Sequence, residues 1–335
     1  MGLCVAGTVQ AEPFRVATFA APLSRDGPGL LLRDIQSGDA TEIRAIQNII
    51  ARNRPDILVL TDFDYDLDGI ALAAFADLFA DPYPHMFALP SNAGLATGLD
   101  LNANGRLGEA RDSQGYGRFA GDGGMAILSR FPILAEQVTD YSEVLWKDLP
   151  DAALPQLSGA PFLGVAAIDQ LRLSSTGHWI VPIAVPGGPP ISVMAFDATP
   201  PVFDGPEDMN GLRNRDELRL WEIVLEGGFG PAPDSFVIAG NANLDPKGGE
   251  GYRQAMADFL ALASLQDPLP DLPTAHWPED GPGDLRVSYV LPSRDWQIVA
   301  AGVFWPGPDD PDRALLGEDG LAAGPHRLVW VDISR

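Results

Sequence analysis

Apolar residues occur along the chain in two alternating kinds of segment. Short apolar runs at 15–19 and 56–60 are bounded by polar residues or by proline, which is typical of buried strands. Between them, residues 40–53 have apolar positions three and four apart, which predicts a helix that ends before Pro55. A strand, a helix and a second strand in this order predict a layered α/β fold.

The same two patterns continue to the end of the chain. Further helices are predicted at 70–79, 216–225 and 252–263, and further strands at 124–129, 179–183, 191–196, 236–239, 285–290 and 327–332. A proline- and glycine-rich turn at 186–190 separates two of these strands, which are therefore expected to pair. No low-complexity linker divides the chain, so residues 12–335 are predicted to form a single domain.

The balance of charge limits the partners that this chain would bind. Its 335 residues include 22 Lys and Arg but 46 Asp and Glu, a net charge of -24. Nucleic-acid binders gain affinity from Lys and Arg, so nucleic acid is not an expected partner. No stretch has the roughly 20 apolar residues that a membrane span needs. We expect the partner to be a protein or a small anionic ligand.

The N-terminal segment resembles part of an export signal. Val9-Gln10-Ala11 has the small-x-small pattern of a cleavage site, and the residues before it are apolar. Residues 1–11 are therefore predicted to be the remnant of a signal peptide of a periplasmic or secreted protein, the alternative being an ordinary chain terminus. The single cysteine, Cys4, lies in this segment, so the mature chain would have no disulfide and no thiolate nucleophile.

Residues 100–112 follow the opening of a calcium-binding loop. Side-chain oxygens stand at alternate positions, on Asp100, Asn102 and Asn104, and Gly105 is the sixth residue. The twelfth residue is Arg111 where such loops have Glu, and Asp112 would supply the late carboxylate. Ca²⁺ is thus a candidate cofactor of this loop, and an Asx-rich turn is the alternative.

A set of segments at the predicted strand ends carries a resemblance to a known family. They are 15–20, 58–62, 125–133, 177–182, 195–201, 211–217, 239–246 (Ala-Gly-Asn-Ala-Asn-Leu-Asp-Pro), 285–292 and 325–330 (Pro-His-Arg-Leu-Val-Trp). In this order and spacing they resemble the secreted bacterial branch of the endonuclease/exonuclease/phosphatase superfamily. The resemblance covers nearly all of the chain after Ala11. It implies an α/β fold, the four-layer α/β/β/α sandwich of the DNase I-like type.

The resemblance also implies a chemistry, which is metal-assisted hydrolysis of phosphate esters. In the family an Asn and a Glu at the ends of the first two strands hold Mg²⁺, a hard ion that prefers oxygen ligands. A middle His contacts the phosphoryl oxygens, and an Asp-x-Asn pair activates water and orients the phosphate. A late Asp orients a final His, and a further Asp precedes that His.

This sequence departs from the family pattern at most of those positions. Ala20 stands for Asn, Asp62 for Glu, Asp197 for His, Asn241 for the first Asp, Ser288 for the orienting Asp and Pro325 for the last Asp, whereas Asn243 and His326 are retained. Ala20 offers no ligand oxygen, and Asn241 cannot act as a base. Because loss of one general acid or base costs about 10²–10⁴ in rate, we expect a catalytically degenerate, exported binding or assembly protein. Its Mg²⁺ site would be lost, with Asp62 at most a weak metal ligand.

Two alternatives stay open at this point. One is a divergent phosphoesterase that depends on a divalent metal and acts on a small phosphate ester. It would use the surviving groups, which are Asp62, Asn243, His326 and Asp197. If instead the alignment of the segments has slipped, the carboxylates of Asp62, Asp64, Asp66 and Asp245 are candidate substitutes for the missing groups. The other alternative is an interaction module stabilised by calcium at the 100–112 loop.

Overall fold

The computed structural model describes residues 12–278 and 281–335. The predicted signal-peptide remnant at 1–11, with Cys4, lies outside these residues and stays a prediction. The α-helices of the described residues are α1 (Leu30–Ser37), α2 (Thr41–Asn53), α3 (Ile70–Ala76), α4 (Val165–Ile168), α5 (Met209–Leu225) and α6 (Arg253–Leu260). Short 3-10 helices span Ala110–Asp112, Ala135–Gln137, Trp146–Asp148 and Pro311–Leu316. None of these helices has the length and apolar content needed to cross a membrane.

The strands are numbered in chain order. They are β1 (Phe14–Leu23), β2 (Ile57–Phe63), β3 (His85–Phe87), β4 (Gly124–Ser129), β5 (Thr139–Asp140), β6 (Gln156–Leu157), β7 (Ala160–Pro161), β8 (Gly177–Ile183), β9 (Ile191–Asp197), β10 (Phe236–Asn241), β11 (Ala275–His276), β12 (Asp284–Leu285), β13 (Ser288–Pro292), β14 (Gln297–Val303) and β15 (Val329–Ser334). Two pairs, β6 with β7 and β11 with β12, form separate two-stranded ribbons.

The remaining strands form two mixed sheets. The six-stranded sheet has the order β14-β15-β1-β2-β4-β3, and the five-stranded sheet has the order β13-β10-β9-β8-β5. Each sheet contains one parallel pair, β1 with β2 and β9 with β10, and its other neighbours are antiparallel. The carboxyl ends of both strands of a parallel pair therefore lie at one edge of their sheet.

The two sheets pack face to face and carry helices on their outer faces. The core between the sheets includes Val16, Val59, Val193 and Val237. Because side chains alternate along a strand, the neighbouring residues point outward. Phe19 packs with Ile46 and Phe75 beneath α1, α2 and α3, and Phe196 packs with Trp221 and Phe259 beneath α5 and α6. The predicted four-layer α/β/β/α sandwich is confirmed.

Most predicted elements are present, with two informative differences. The strand predicted at 285–290 is split into β12 and β13 because side chains take its backbone amides. Arg286 N donates to Asp245 Oδ2 at 2.6 Å, and Val287 N donates to Thr274 Oγ1 at 2.8 Å. Helix α5 begins seven residues before the predicted start, since its first turns bury polar side chains that give no apolar periodicity. The elements that were not predicted are helices α1 and α4 and strands β3, β5, β6, β7, β11 and β14.

One buried carboxylate joins α5 to β8 and β9, two neighbouring strands of the five-stranded sheet. Glu217 is fully buried and accepts hydrogen bonds from Ser175 N at 2.5 Å, Ser175 Oγ at 2.7 Å and Thr199 N at 2.7 Å. Ser175 lies just before β8, and Thr199 lies just after β9. Glu217 therefore fixes the ends of both strands at the edge where β9 ends.

We predict that Glu217→Ala destabilises the chain by about 3 kcal/mol, because three buried donors lose their acceptor. Urea unfolding followed by circular dichroism measures this change. Glu226→Ala, at the exposed end of the same helix, is the matched control and should cost less than about 0.5 kcal/mol. Equal stability of the two variants would contradict the role assigned to Glu217.

Candidate functional site

A cleft of about 680 Å³ opens at the carboxyl ends of the two parallel strand pairs. Six of the eight positions singled out from the sequence line it, and these are Ala20, Asp62, Asp197, Asn241, Asn243 and His326. Ser288 lies beside Asn241 in the sheet, and Pro325 precedes His326 in the chain, so both are adjacent to the cleft without lining it. The fold thus brings together the positions that the resemblance indicated.

The five-stranded sheet places three of these residues in one transverse row. Ser288 is the register partner of Asn241, and Asn241 is the register partner of Asp197. Ser288 Oγ donates to Asn241 Oδ1 at 3.3 Å, and Asn241 Nδ2 donates to Asp197 Oδ1 at 3.1 Å. Thr176 Oγ1 donates to the other carboxyl oxygen of Asp197 at 3.4 Å. The row is a chain of hydrogen bonds that ends on Asp197.

Asp62 reaches the cleft from the six-stranded sheet through a local irregularity of β2. The register of β2 with β4 shifts between Thr61 and Phe63, and Asp62 has a φ of 65°. This left-handed conformation is uncommon outside glycine, and Asp and Asn tolerate it best. Gly123 lies close by, where an added Cβ would be 3.1 Å from Asp62 Oδ1. The bulge and the neighbouring glycine together give the carboxyl group its place in the cleft.

Asp62 and Asp197, which we call the carboxyl pair, have no cationic partner within ion-pair distance among the described residues. Burial is the main cause that raises the pKa of Asp62 to about 7. The Ser24 side chain and the Arg25 charge oppose this rise, and the charges of Asp64 and Asp122 contribute to it. Burial also raises the pKa of Asp197 well above its usual range, and the charge of Asp62 adds to this. At neutral pH, Asp62 is therefore partly protonated.

His326 lacks the partner that would orient it. Its Nδ1 is buried with no hydrogen-bond partner among the described residues, and its ring makes an edge contact with Trp277. Ser288, which stands where the resemblance implies an orienting Asp, donates to Asn241 instead. Burial lowers the pKa of His326 to about 4, and the nearby Arg327 charge lowers it too. The imidazole is thus neutral at pH 7 and cannot donate a proton as an imidazolium acid.

The residues of the cleft do not fit the Mg²⁺ that the resemblance implies. Within residues 12–278 and 281–335, no three His, Cys, Asp or Glu side chains are grouped to hold a metal. Ala20 has no donor atom, and the Asn241 amide is engaged by Asp197 and Ser288. The Asn243 amide nitrogen donates to Ala198 O at 2.8 Å. Of the two positions that the resemblance predicts as Mg²⁺ ligands, only Asp62 carries a side-chain oxygen, whereas the family uses a carboxylate and an amide there.

The acidic residues proposed as substitutes have other roles in the fold. Asp64 accepts from Gly123 N and Arg25 N, and Asp66 accepts from the first amides of α3. Asp245 accepts from the amides of residues 247, 248 and 286. None of these three side chains lines the cleft. They therefore do not replace the missing groups.

The candidate calcium loop borders the cleft, and its side chains accept from its own backbone. Asp100 accepts from the amides of Asn104 and Gly105 at 3.1 and 2.7 Å. Asp112 is buried and accepts from the amides of residues 101 and 109, both at 3.0 Å. Asn102 and Asn104 likewise accept from amides two residues ahead. These are the contacts of Asx turns, and calcium binding stays a prediction.

Sequence reasoning missed the walls of the cleft. They carry three arginines, Arg111, Arg118 and Arg213, and three aromatic residues, Tyr116, Phe162 and Phe203. Arg118 pairs with Asp26 at 2.8 Å, and Arg213 donates to main-chain carbonyls such as Leu173 O at 2.8 Å. Arg111, Tyr116 and Arg118 come from one loop, whereas Phe162, Phe203 and Arg213 come from three other parts of the chain. No continuous run of basic or aromatic residues therefore predicts these walls.

Comparison with known proteins places the fold. A model of the Endonuclease/Exonuclease/phosphatase family matches residues 34–330. An endonuclease/exonuclease/phosphatase from Beutenbergia cavernae DSM 12333 is 20% identical and has a TM-score of 0.59, over 97% of this chain and 72% of that chain. Sphingomyelinase C from Streptomyces griseocarneus is 18% identical and has a TM-score of 0.51, over 96% of this chain and 99% of that chain. The mannosyl-6-phosphatase of Bacteroides thetaiotaomicron VPI-5482 is 13% identical, with the same coverage and TM-score.

At these identities the similarity to solved structures concerns the fold alone. No curated protein has a sequence that matches the chain significantly.

We predict that Asp62→Asn stabilises the chain at about pH 8 and changes little near pH 4. The folded-state pKa of Asp62 is about 7 against an ordinary 3.8. The protonated Asp62 side chain therefore does not destabilise the fold below pH 4. As the pH rises towards 7, ionisation of the buried carboxyl group increasingly destabilises the folded chain. One pKa unit corresponds to about 1.36 kcal/mol, so the variant should gain at least about 1 kcal/mol between these limits.

Urea unfolding at several pH values measures this gain, and Asn also suits the positive φ. Asp39→Asn, an exposed residue, removes the same charge and should show no such gain. A difference between Asp62→Asn and the parent that is independent of pH would contradict the raised pKa.

Proposed function

Since the chain belongs to the endonuclease/exonuclease/phosphatase family, we propose that it is a catalytically degenerate member whose cleft binds a ligand and does not hydrolyse phosphate esters. One observation carries this proposal. The position of the family base is Asn241, whose amide donates to Asp197 and whose carbonyl oxygen accepts from Ser288. A primary amide neither gains nor loses a proton near neutral pH, so Asn241 cannot act as the base that activates water.

The groups that would assist such a base are also altered. His326 is neutral and has no partner at Nδ1, so it supplies no positive charge to a phosphoryl group. Asp197 places a carboxyl group where the family has an imidazole. An anionic phosphate at this point would face the carboxyl pair without a cation between them, which disfavours binding.

The cleft nevertheless keeps the form of a ligand site. It is concave, lies at the carboxyl ends of strands on a rigid frame, and has apolar and aromatic walls around a few polar groups. Three residues that line it, Asp62, Asp197 and His326, have strongly perturbed pKa values, as is common at functional sites. These features support binding as the retained function. Export of the chain, expected from residues 1–11, is part of the proposal.

We predict that the parent chain releases no p-nitrophenol above the protein-free rate. The substrates are p-nitrophenyl phosphate and bis-p-nitrophenyl phosphate, each with Mg²⁺, Mn²⁺ or Ca²⁺. The matched variant carries Ala20→Asn, Asp62→Glu, Asp197→His, Asn241→Asp, Ser288→Asp and Pro325→Asp. Because each acid or base contributes about 10²–10⁴ in rate, this variant should gain at least about 10²-fold.

Circular dichroism and the melting temperature show whether the restored variant is folded. A folded variant without activity would argue that other positions also prevent catalysis. Turnover by the parent that is abolished in Asp62→Ala or His326→Ala would overturn the proposal in favour of the divergent phosphoesterase.

A further inference from the structure

The carboxyl pair is an unfavourable arrangement for a protein that leaves it empty. Asp62 and Asp197 reach the same cleft from different sheets, and no described residue forms an ion pair with either. Two such carboxyl groups repel each other when both are ionised and lose solvation by burial. Groups that cost stability in the free protein are typical of sites that a ligand completes.

A second, independent observation lies at the base of the same cleft. Thr61 has no exposed surface and its Oγ1 has no hydrogen-bond partner among the described residues, although it lines the cleft. Unpaired buried hydroxyl groups are rare because the lost hydrogen bond costs about 1–3 kcal/mol. Thr61 is the register partner of Ala20 on β1, and the alanine side chain offers the hydroxyl group no hydrogen-bond partner. Thr61, Asp62 and Asp197 thus line one cleft and present acceptor oxygens that no positively charged donor among the described residues satisfies.

The geometry points to a primary ammonium group as the occupant. We propose that the cleft binds a ligand through an ammonium group that donates to Asp62, Asp197 and Thr61. This inference rests on the proposed function and names the class of its ligand. An ammonium group has three N–H donors and one positive charge, which matches two carboxyl groups and one hydroxyl. A quaternary ammonium has no N–H donor, and Mg²⁺ lacks enough ligands here, as shown above.

The walls of the cleft suit the remainder of such a molecule. Tyr116 and Phe203 are 64% and 78% exposed although both are large and apolar. With Phe162 they line the same cleft as the carboxyl pair. They provide apolar area for an alkyl or aryl group, which a small-molecule site usually has beside its few polar groups. The proposed ligand is thus an amine with an apolar portion, whereas the sequence alone led us to expect a protein or a small anionic ligand.

Isothermal titration calorimetry with n-butylammonium, tetramethylammonium and n-butanol tests the inference at about pH 8 and low salt. Alkylammonium should bind at least about 10-fold more tightly than either of the other probes, because each of them lacks the N–H donors or the charge. Asp62→Asn and Asp197→Asn should each weaken binding by at least about 10-fold, and Thr61→Val by about 5-fold. Asp39→Asn, with the same loss of charge on an exposed surface, should leave binding unchanged.

The design separates binding from folding. Thr61→Val removes a hydroxyl that has no partner, so a purely structural role predicts unchanged binding and equal or higher stability. The melting temperature of each variant identifies any that is unfolded, and Asp62→Asn is expected to be at least as stable as the parent. Loss of butylammonium binding in these folded variants supports the site.

Several results would overturn it. They are equal affinity for butylammonium and butanol, butylammonium binding that persists in Asp62→Asn and Thr61→Val, and displacement of butylammonium by micromolar Mg²⁺ with the same residue dependence. The last result would show a metal site instead. Phosphate-ester turnover would refute the proposed function, whereas failure of amine binding without turnover would refute this inference alone.

Discussion

Two carboxyl groups that face one cleft without a counter-ion set the chemistry of this protein. Asp62 comes from a bulge at the end of β2, and Asp197 is the last residue of β9. Burial raises the pKa of both groups. The protonated forms are thereby favoured, and protonation reduces the repulsion that a bound cation would otherwise neutralise. The surrounding fold must then hold them in place against their preference for water. The hydrogen-bonded row and the packing of Gly123 against Asp62 supply that constraint.

The arrangement of the strands and the chemistry of the cleft are determined by different residues of the sequence. Register between neighbouring strands decides which positions meet, and it depends on alternating apolar residues such as Val193 and Val237 facing the other sheet. That pattern is independent of the residue at the strand end. Substitution of the terminal residues therefore changes the reaction that the cleft can perform and leaves its location unchanged.

More of the fold than of the candidate site could be predicted from the sequence. Strand β4 has the predicted bounds because its six residues are all buried, and the family resemblance located six residues that line the cleft. The bulge at Asp62 could not be read from the sequence, since a φ of 65° at Asp leaves no local pattern. The unpaired hydroxyl of Thr61 depends on which atoms surround it. Tyr116 and Phe203 lie in long connections, where periodicity gives no information about exposure.

The substitutions at Asp197 and Asn241 are best understood as one change. The family pattern places an imidazole at the end of β9 and a carboxylate at the end of β10. In that arrangement the hydrogen-bond donor lies on β9 and the acceptor lies on β10. Here the carboxyl group lies on β9 and the amide donor on β10, and the hydrogen bond of 3.1 Å runs in the opposite direction. Asn241→Asp alone would put two carboxyl groups in register contact, and Asp197→His alone would face an amide. Asp197 is thus compatible with the amide of Asn241 and would be repelled by an aspartate at position 241, which links the loss of the base to the loss of the imidazole.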